Sequence, residues 1–148
     1  MDLTSLYQQL ILDHAKNPIG AGLRDPFDSE VHHVNPTCGD EITLRVRVAG
    51  SRLADVSFDA KGCSISVAAA SVMADTVTGV DIEEAMREYE LFRGIVSLGL
   101  PTDADVEELG DAAAFAGVAK FPARVKCALL GWAAMRDAVA RAASTQEG

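Results

Sequence analysis

The residues of this chain best suited to hold an ion or carry sulfur are three cysteines and one aspartate. Cys38 stands in Pro36–Thr37–Cys38–Gly39–Asp40, Cys63 in Lys61–Gly62–Cys63–Ser64, and Cys127 in Arg124–Val125–Lys126–Cys127. An odd number of cysteines argues against a disulfide framework. Taken singly, a free cysteine is most often a small buried hydrophobe, and Cys63, ahead of a run of small residues, fits that reading. Cys38 fits it poorly, because turn-forming and polar residues surround it. In an extended segment residues two apart face the same side, so Cys38 and Asp40 can offer a thiolate and a carboxylate to one ion. Zinc takes four such S, N or O donors in a tetrahedron. Three thiolates and a carboxylate would leave the site net negative, which is costly to bury unless cations stand nearby. Lys61, Arg124 and Lys126 flank two of the cysteines. Arg124 shares a helical face with Cys127; solvated surface charge is the competing reading for each of these cations. There is no Cys-x-x-Cys pair, so spacing by itself leaves metal binding and buried thiols both open.

Each cysteine needs an element boundary to present it, and the hydrophobic pattern supplies those boundaries. Leu3, Leu6, Tyr7, Leu10 and Ile11 recur at helical spacing up to Asn17–Pro18, where the residue before proline ends the helix. Residues 21–29 read as loop and residues 30–34 as a short strand. Ile42, Leu44, Val46 and Val48 alternate with polar residues, turn at Ala49–Gly50–Ser51, and return as Val56, Phe58 and Ala60, predicting a three-stranded antiparallel meander. After Cys63 the period changes: Ile65, Ala68, Ala69, Val72 and Met73 predict a helix ending at Gly79. A second begins at Asp81 with Ile82, Ala85, Met86 and Tyr89. Residues 94–110 read as loop with one short helix. A last helix starts at Pro122 and runs to about Ala143, leaving residues 144–148 as a frayed tail. The expected fold is α+β, one domain over residues 1–148, with helices packed on one face of the sheet. Cys38 then lies in a turn between strands, Cys63 where a strand gives way to a helix, and Cys127 in the second turn of the last helix.

Composition narrows the function. Lys and Arg total 13 against 22 Asp and Glu, a formal charge of −9, which argues against a nucleic-acid-binding module. No stretch approaches the ~20 apolar residues of a membrane span. The segment from Met1 to Lys16 lacks the apolar run and small-residue site of a signal peptide. The expectation is a soluble, cytoplasmic protein. His14 near a helix end is expected to pack or cap rather than bind metal. His32 and His33 should point to opposite faces of their strand, and Trp132 should anchor the core.

At these motifs the chain resembles the SufU-type branch of the iron–sulfur cluster scaffold family related to IscU. The resemblance rests on Leu6–Tyr7 with Asp13–His14 and Lys16–Asn17–Pro18, on Asn35–Pro36–Thr37–Cys38–Gly39–Asp40, on Gly62–Cys63–Ser64–Ile65–Ser66, and on Phe121–Pro122–Ala123–Arg124–Val125–Lys126–Cys127–Ala128. IscU-type members carry histidine immediately before the third cysteine, where this chain has Lys126, and the SufU branch has a long segment between the second and third cysteines, as here. The resemblance implies Zn2+ held by Cys38, Asp40, Cys63 and Cys127. It implies a pyridoxal-phosphate cysteine desulfurase of the SufS type as partner, and delivery of the accepted sulfur to a SufBCD-type cluster-building complex. Under that reading the protein is a sulfurtransferase in which Cys38, on its Pro- and Gly-flanked turn, is the persulfide acceptor and Arg124 helps to orient the sulfur. Two other readings stand beside it: a scaffold that holds a nascent iron–sulfur cluster on the same ligands, and a purely structural zinc adaptor.

Overall fold

The computed structural model describes residues 3–36, 39–99 and 107–147. Its sheet is the antiparallel meander β1 (Ser29–Asn35), β2 (Asp40–Ala49) and β3 (Arg52–Lys61), in the order β1-β2-β3. In β2 the apolar set Ile42, Leu44, Val46 and Val48 is buried while the intervening residues are more exposed, as the period of two requires. The register matters for function. Asn35 pairs with Asp40, and Glu41 with Lys61. The end of β1, the start of β2 and the end of β3 therefore meet at one end of the sheet, and the chain leaves β3 there through Gly62 and Cys63.

The helices are α1 (Leu3–Lys16), α2 (Ser64–Val77), α3 (Ile82–Leu98) and α4 (Pro122–Glu147), with a 310 helix over Gly110–Lys120. Helices α2 and α4 cover the buried face of the sheet. Nearly every side of α2 is enclosed, and it is built from Ala68, Ala69, Ala70, Ser71 and Ala74 where other elements come close. Its crossing with α4 is tight: a Cβ on Gly131 would lie 2.9 Å from that of Ala70, so only glycine fits without separating the helices. Trp132 is fully buried and stacks on Phe92 of α3 at 4.4 Å, while Phe115 of the 310 helix meets Phe92 edge-on at 5.9 Å. Trp132 is the core anchor that its position suggested. His32 bonds the Thr43 hydroxyl on the exposed side and His33 bonds Asp137 of α4 on the other, so the two histidines face apart as expected.

Two expectations need correction, and one element is new. Helix α3 does not give way at Gly94 but continues to Leu98, with Gly99 in the left-handed conformation closing it. Ile95 and Val96 extend the buried stripe of Tyr89 and Phe92, and their burial outweighs the ~1 kcal/mol that a helical glycine costs. The 310 helix was not foreseen. Its buried Ala112, Phe115 and Val118 recur every third residue, the repeat of that helix, inside an alanine-rich run with little polar contrast. Helix α4 extends to Glu147 rather than stopping near Ala143; Ser144, Thr145, Gln146 and Glu147 include no glycine or proline to end it. Among the described residues no helix is long and apolar enough to cross a membrane.

Candidate metal centre

The end of the sheet carrying Asp40, the start of α2 and the second turn of α4 converge. Asp40, the first residue of β2, is only 2% exposed. Its carboxylate lies over Gly62, so a side chain at position 62 would collide with it; the Asp40 Cγ would stand 2.6 Å from an added Cβ. Gly62 also has a φ of +156°. Both facts call for glycine where the chain turns from β3 into α2.

Cys63 is the N-cap residue of α2, with extended backbone and no capping bond from its own side chain. The Asp40 carboxylate does that work from the neighbouring strand. Its Oδ1 accepts from the Cys63 backbone N–H at 3.0 Å and its Oδ2 accepts from the Ser66 hydroxyl. A negative group at a helix N-terminus is favourable, so α2 and Asp40 stabilise one another before any ion is considered. The Cys63 Sγ lies 3.7 Å from Asp40 Oδ2 and 3.5 Å from Ser66 Oγ.

Cys127 enters by packing. It lies one turn before Gly131, as Ser66 lies one turn before Ala70, so the tight crossing of α2 and α4 brings Cys127 to the N-terminal end of α2. It is buried, with its Sγ 3.5 Å from the Ala123 carbonyl of its own helix. One donor atom each from Asp40, Cys63 and Cys127 lies within 4.8 Å of the others. Two sulfurs and a carboxylate oxygen at this closeness are a donor set that suits zinc and leaves a tetrahedron one ligand short. Cys38 and Thr37 lie outside the described residues.

Cys63 is exposed on a cleft of about 440 Å³. Ile11 and Leu12 of α1 and Ile65 of α2 give it apolar walls, and Gln8 and Arg124 give it polar ones. Arg124 is exposed and its guanidinium lies 5.9 Å from the centre of the Phe121 ring. Lys61 and Lys126 are exposed, and neither lines this cleft. His14 is engaged away from the cluster: its Nδ1 shares a 2.7 Å hydrogen bond with the Ser71 hydroxyl, which also accepts from the Ile19 N–H at 2.8 Å. Those bonds fasten α1, and with it one wall of the cleft, to α2. The structure thus joins Asp40, Cys63 and Cys127 in one cluster and puts Arg124 on the cleft beside it. The sequence places Gly62 and Ser66 in the second cysteine motif without showing a role for either. The Ser66 signal was its place three residues after Cys63, within the first turn of the helix.

Comparison with known proteins follows the same lines. Residues 6–141 match the family described as NifU-like N terminal domain. The chain is 43% identical over 141 residues to the zinc-dependent sulfurtransferase SufU of Bacillus subtilis (strain 168), covering 95% of this chain and 93% of that one. It is 41% identical over 144 residues to the iron–sulfur cluster assembly scaffold protein IscU of Streptococcus pyogenes serotype M1, covering 97% and 89%. A crystal structure from Fervidobacterium islandicum AW-1, of a protein proposed as an iron–sulfur cluster assembly scaffold for the SUF system, superposes with a TM-score of 0.78 at 30% identity, covering 93% of this chain and 99% of that one.

Proposed function

The chain belongs to the NifU-like N terminal domain family, and from that premise we propose that it is a zinc-dependent sulfur relay in iron–sulfur cluster assembly. The observation that carries the reading is the Asp40–Cys63–Cys127 donor cluster, whose Cys63 lines a cleft together with Arg124. These three residues would hold the zinc, with Cys38, two residues before Asp40 in the chain, as the remaining ligand. Zinc, when bound, keeps its thiolate ligands deprotonated and restrains their nucleophilicity.

The rest of the chemistry belongs to the chain. The Cys38 thiolate attacks the outer sulfur of a persulfide on a SufS-type cysteine desulfurase. A sulfur–sulfur bond forms on Cys38, the bond on the desulfurase breaks, and the desulfurase cysteine leaves as a thiolate. Arg124 offers its guanidinium to the anionic sulfur in the cleft. Cys63 and Cys127 are fixed by the start of α2 and by the α2–α4 crossing, which suits retained ligands better than a migrating nucleophile. The loaded sulfur then passes to a cluster-building complex of the SufBCD type.

The scaffold alternative has the relative from Streptococcus pyogenes in its favour, but Lys126 replaces the histidine that precedes the third cysteine in IscU-type members. Elemental analysis and anaerobic reconstitution separate the two. The relay reading expects one zinc per chain and stimulation of a desulfurase. A long-lived, stoichiometric iron–sulfur chromophore able to mature an apo-protein, with no such stimulation, would reverse the choice.

A further inference from the structure

Ser66 is 3% exposed in the first turn of α2. A hydroxyl is costly to bury without a partner, and serine is no better than average as a helix former. The residue therefore needs a local reason. Its hydroxyl donates to Asp40 Oδ2 and lies 3.5 Å from the Cys63 Sγ, between two members of the donor cluster.

The Asp40 carboxylate is held at both ends. Oδ1 is fixed by the Cys63 backbone N–H at 3.0 Å, a bond that does not depend on the side chain at position 66. Oδ2 is fixed by the Ser66 hydroxyl, which is a side-chain contribution and can be removed alone. Oδ2 is also the oxygen 3.7 Å from the Cys63 Sγ, hence the one on the sulfur side. A carboxylate oxygen has two lone pairs, so Oδ2 can accept from Ser66 and still face an ion.

We infer that Ser66 is a positioning residue of the metal centre, whose hydroxyl orients the Asp40 carboxylate so that Oδ2 is presented to the ion shared with Cys63 and Cys127. This rests on the metal reading proposed above and adds a residue to it. Helix α2 contains a control. Ser71 is equally buried, but its hydroxyl joins His14 and Ile19 and touches no ligand. Losing either hydroxyl harms packing; only the Ser66 hydroxyl acts on the ion.

The test is zinc affinity of the purified full chain, read by competition with a chromophoric chelator, with apo-protein melting measured in parallel. Ser66→Ala is expected to weaken zinc binding by about 10- to 100-fold, the usual cost of removing an outer-shell partner. Ser71→Ala is expected to lower the melting temperature and keep zinc affinity within about three-fold of the parent, well short of that range. In an Asp40→Ala background, Ser66→Ala should have no further effect on affinity, because the group it positions is gone. If Ser66→Ala does not fold, Ser66→Thr and Ser66→Val take its place: they share a shape and differ in the hydroxyl, so threonine should retain zinc and valine lose it. Equal affinity for the parent and Ser66→Ala, equal losses for Ser66→Ala and Ser71→Ala, or equal affinity for the threonine and valine variants would each overturn the inference. If the parent itself binds no zinc, it is the metal reading that fails, and the two failures are told apart.

Discussion

Among the described residues two carboxylates are buried, Asp40 at the start of the central strand and Glu88 on α3, and their surroundings treat charge in opposite ways. Asp40 accepts from a backbone N–H at the positive end of a helix and from the Ser66 hydroxyl, beside two sulfurs. Glu88 has an Oε2 with no hydrogen-bond partner among the described residues. Burial first, then the charges of Glu84 and Glu108, push its pKa up to about 7, and Arg87 opposes this only weakly. Arg87 is engaged with Glu84 at 3.8 Å and, closer, with Glu108. One region surrounds a carboxylate with donors that orient it, which suits a metal ligand. The other tolerates an acid that the fold would rather keep neutral. Burial alone does not mark a functional carboxylate; the donors around it do.

The sharpest way to break this contrast is to remove a proposed ligand held by packing. Cys127→Ala should lose stoichiometric zinc. The parent, with free zinc at a thousand times Kd, should be stabilised by about 4 kcal/mol over its chelated form, a shift on the order of 10 °C in Tm. The variant should show almost none of that shift. Differential scanning calorimetry with and without chelator makes the comparison, and a full zinc-dependent shift in Cys127→Ala would remove Cys127 from the ligand set.

Neutralising each buried carboxylate sharpens the contrast further. Asp40→Asn keeps the shape and an acceptor for the Cys63 N–H but loses the anionic ligand, and should weaken zinc binding by at least about ten-fold. Glu88→Gln should act in the opposite direction. The folded-state pKa near 7 lies above the ordinary 4.5, so the native state binds the extra proton between those values. Glu88 thus favours folding at low pH, and this contribution is lost as pH rises to about 7. Glu88→Gln should flatten that loss, by at most about 3 kcal/mol, and leave zinc affinity unchanged. Denaturant titrations at pH 5 and pH 8 read the effect; an unaltered pH dependence in the variant would show Glu88 to be better solvated than its burial indicates.

The smallest structural effect is expected at Arg124. It is exposed, so Arg124→Ala should change stability by about 0.5 kcal/mol or less, while the rate of sulfur transfer from the desulfurase falls several-fold. Wild-type transfer by that variant would return Arg124 to ordinary solvated surface charge.

How far these regions could be read from the sequence follows from what fixes them. The strands were legible because Ile42, Leu44, Val46 and Val48 alternate with polar residues across a sheet with one wet face. The start of α2 at Cys63 and of α4 at Pro122 were legible because the period changes there or proline marks the first turn. The Asp40 assignment rested on its two-residue offset from Cys38 and on the family motif. What brings Cys127 to it is the Gly131–Ala70 crossing, a contact between residues far apart in sequence that no local pattern announces. The Ser66 hydroxyl was hidden for a similar reason, since its partner lies on another strand. The 310 helix escaped because Asp111, Ala112, Ala113, Ala114, Phe115 and Ala116 offer almost no alternation of polar and apolar residues to set a period. Glu88 looks like one more charge on an amphipathic helix, and the approach of Glu108, twenty residues on, is not announced by any local pattern.

The central claim, that this chain takes up sulfur at Cys38 beside a centre built from Asp40, Cys63 and Cys127, is tested most directly by peptide mass spectrometry after alkylation, on zinc-loaded protein incubated with a SufS-type desulfurase and cysteine. The account predicts a persulfide on the peptide containing Cys38, with Cys63 and Cys127 unmodified and the zinc retained. A persulfide carried mainly by Cys63, the exposed thiol on the cleft, or by Cys127, with Cys38 unmodified, would contradict it.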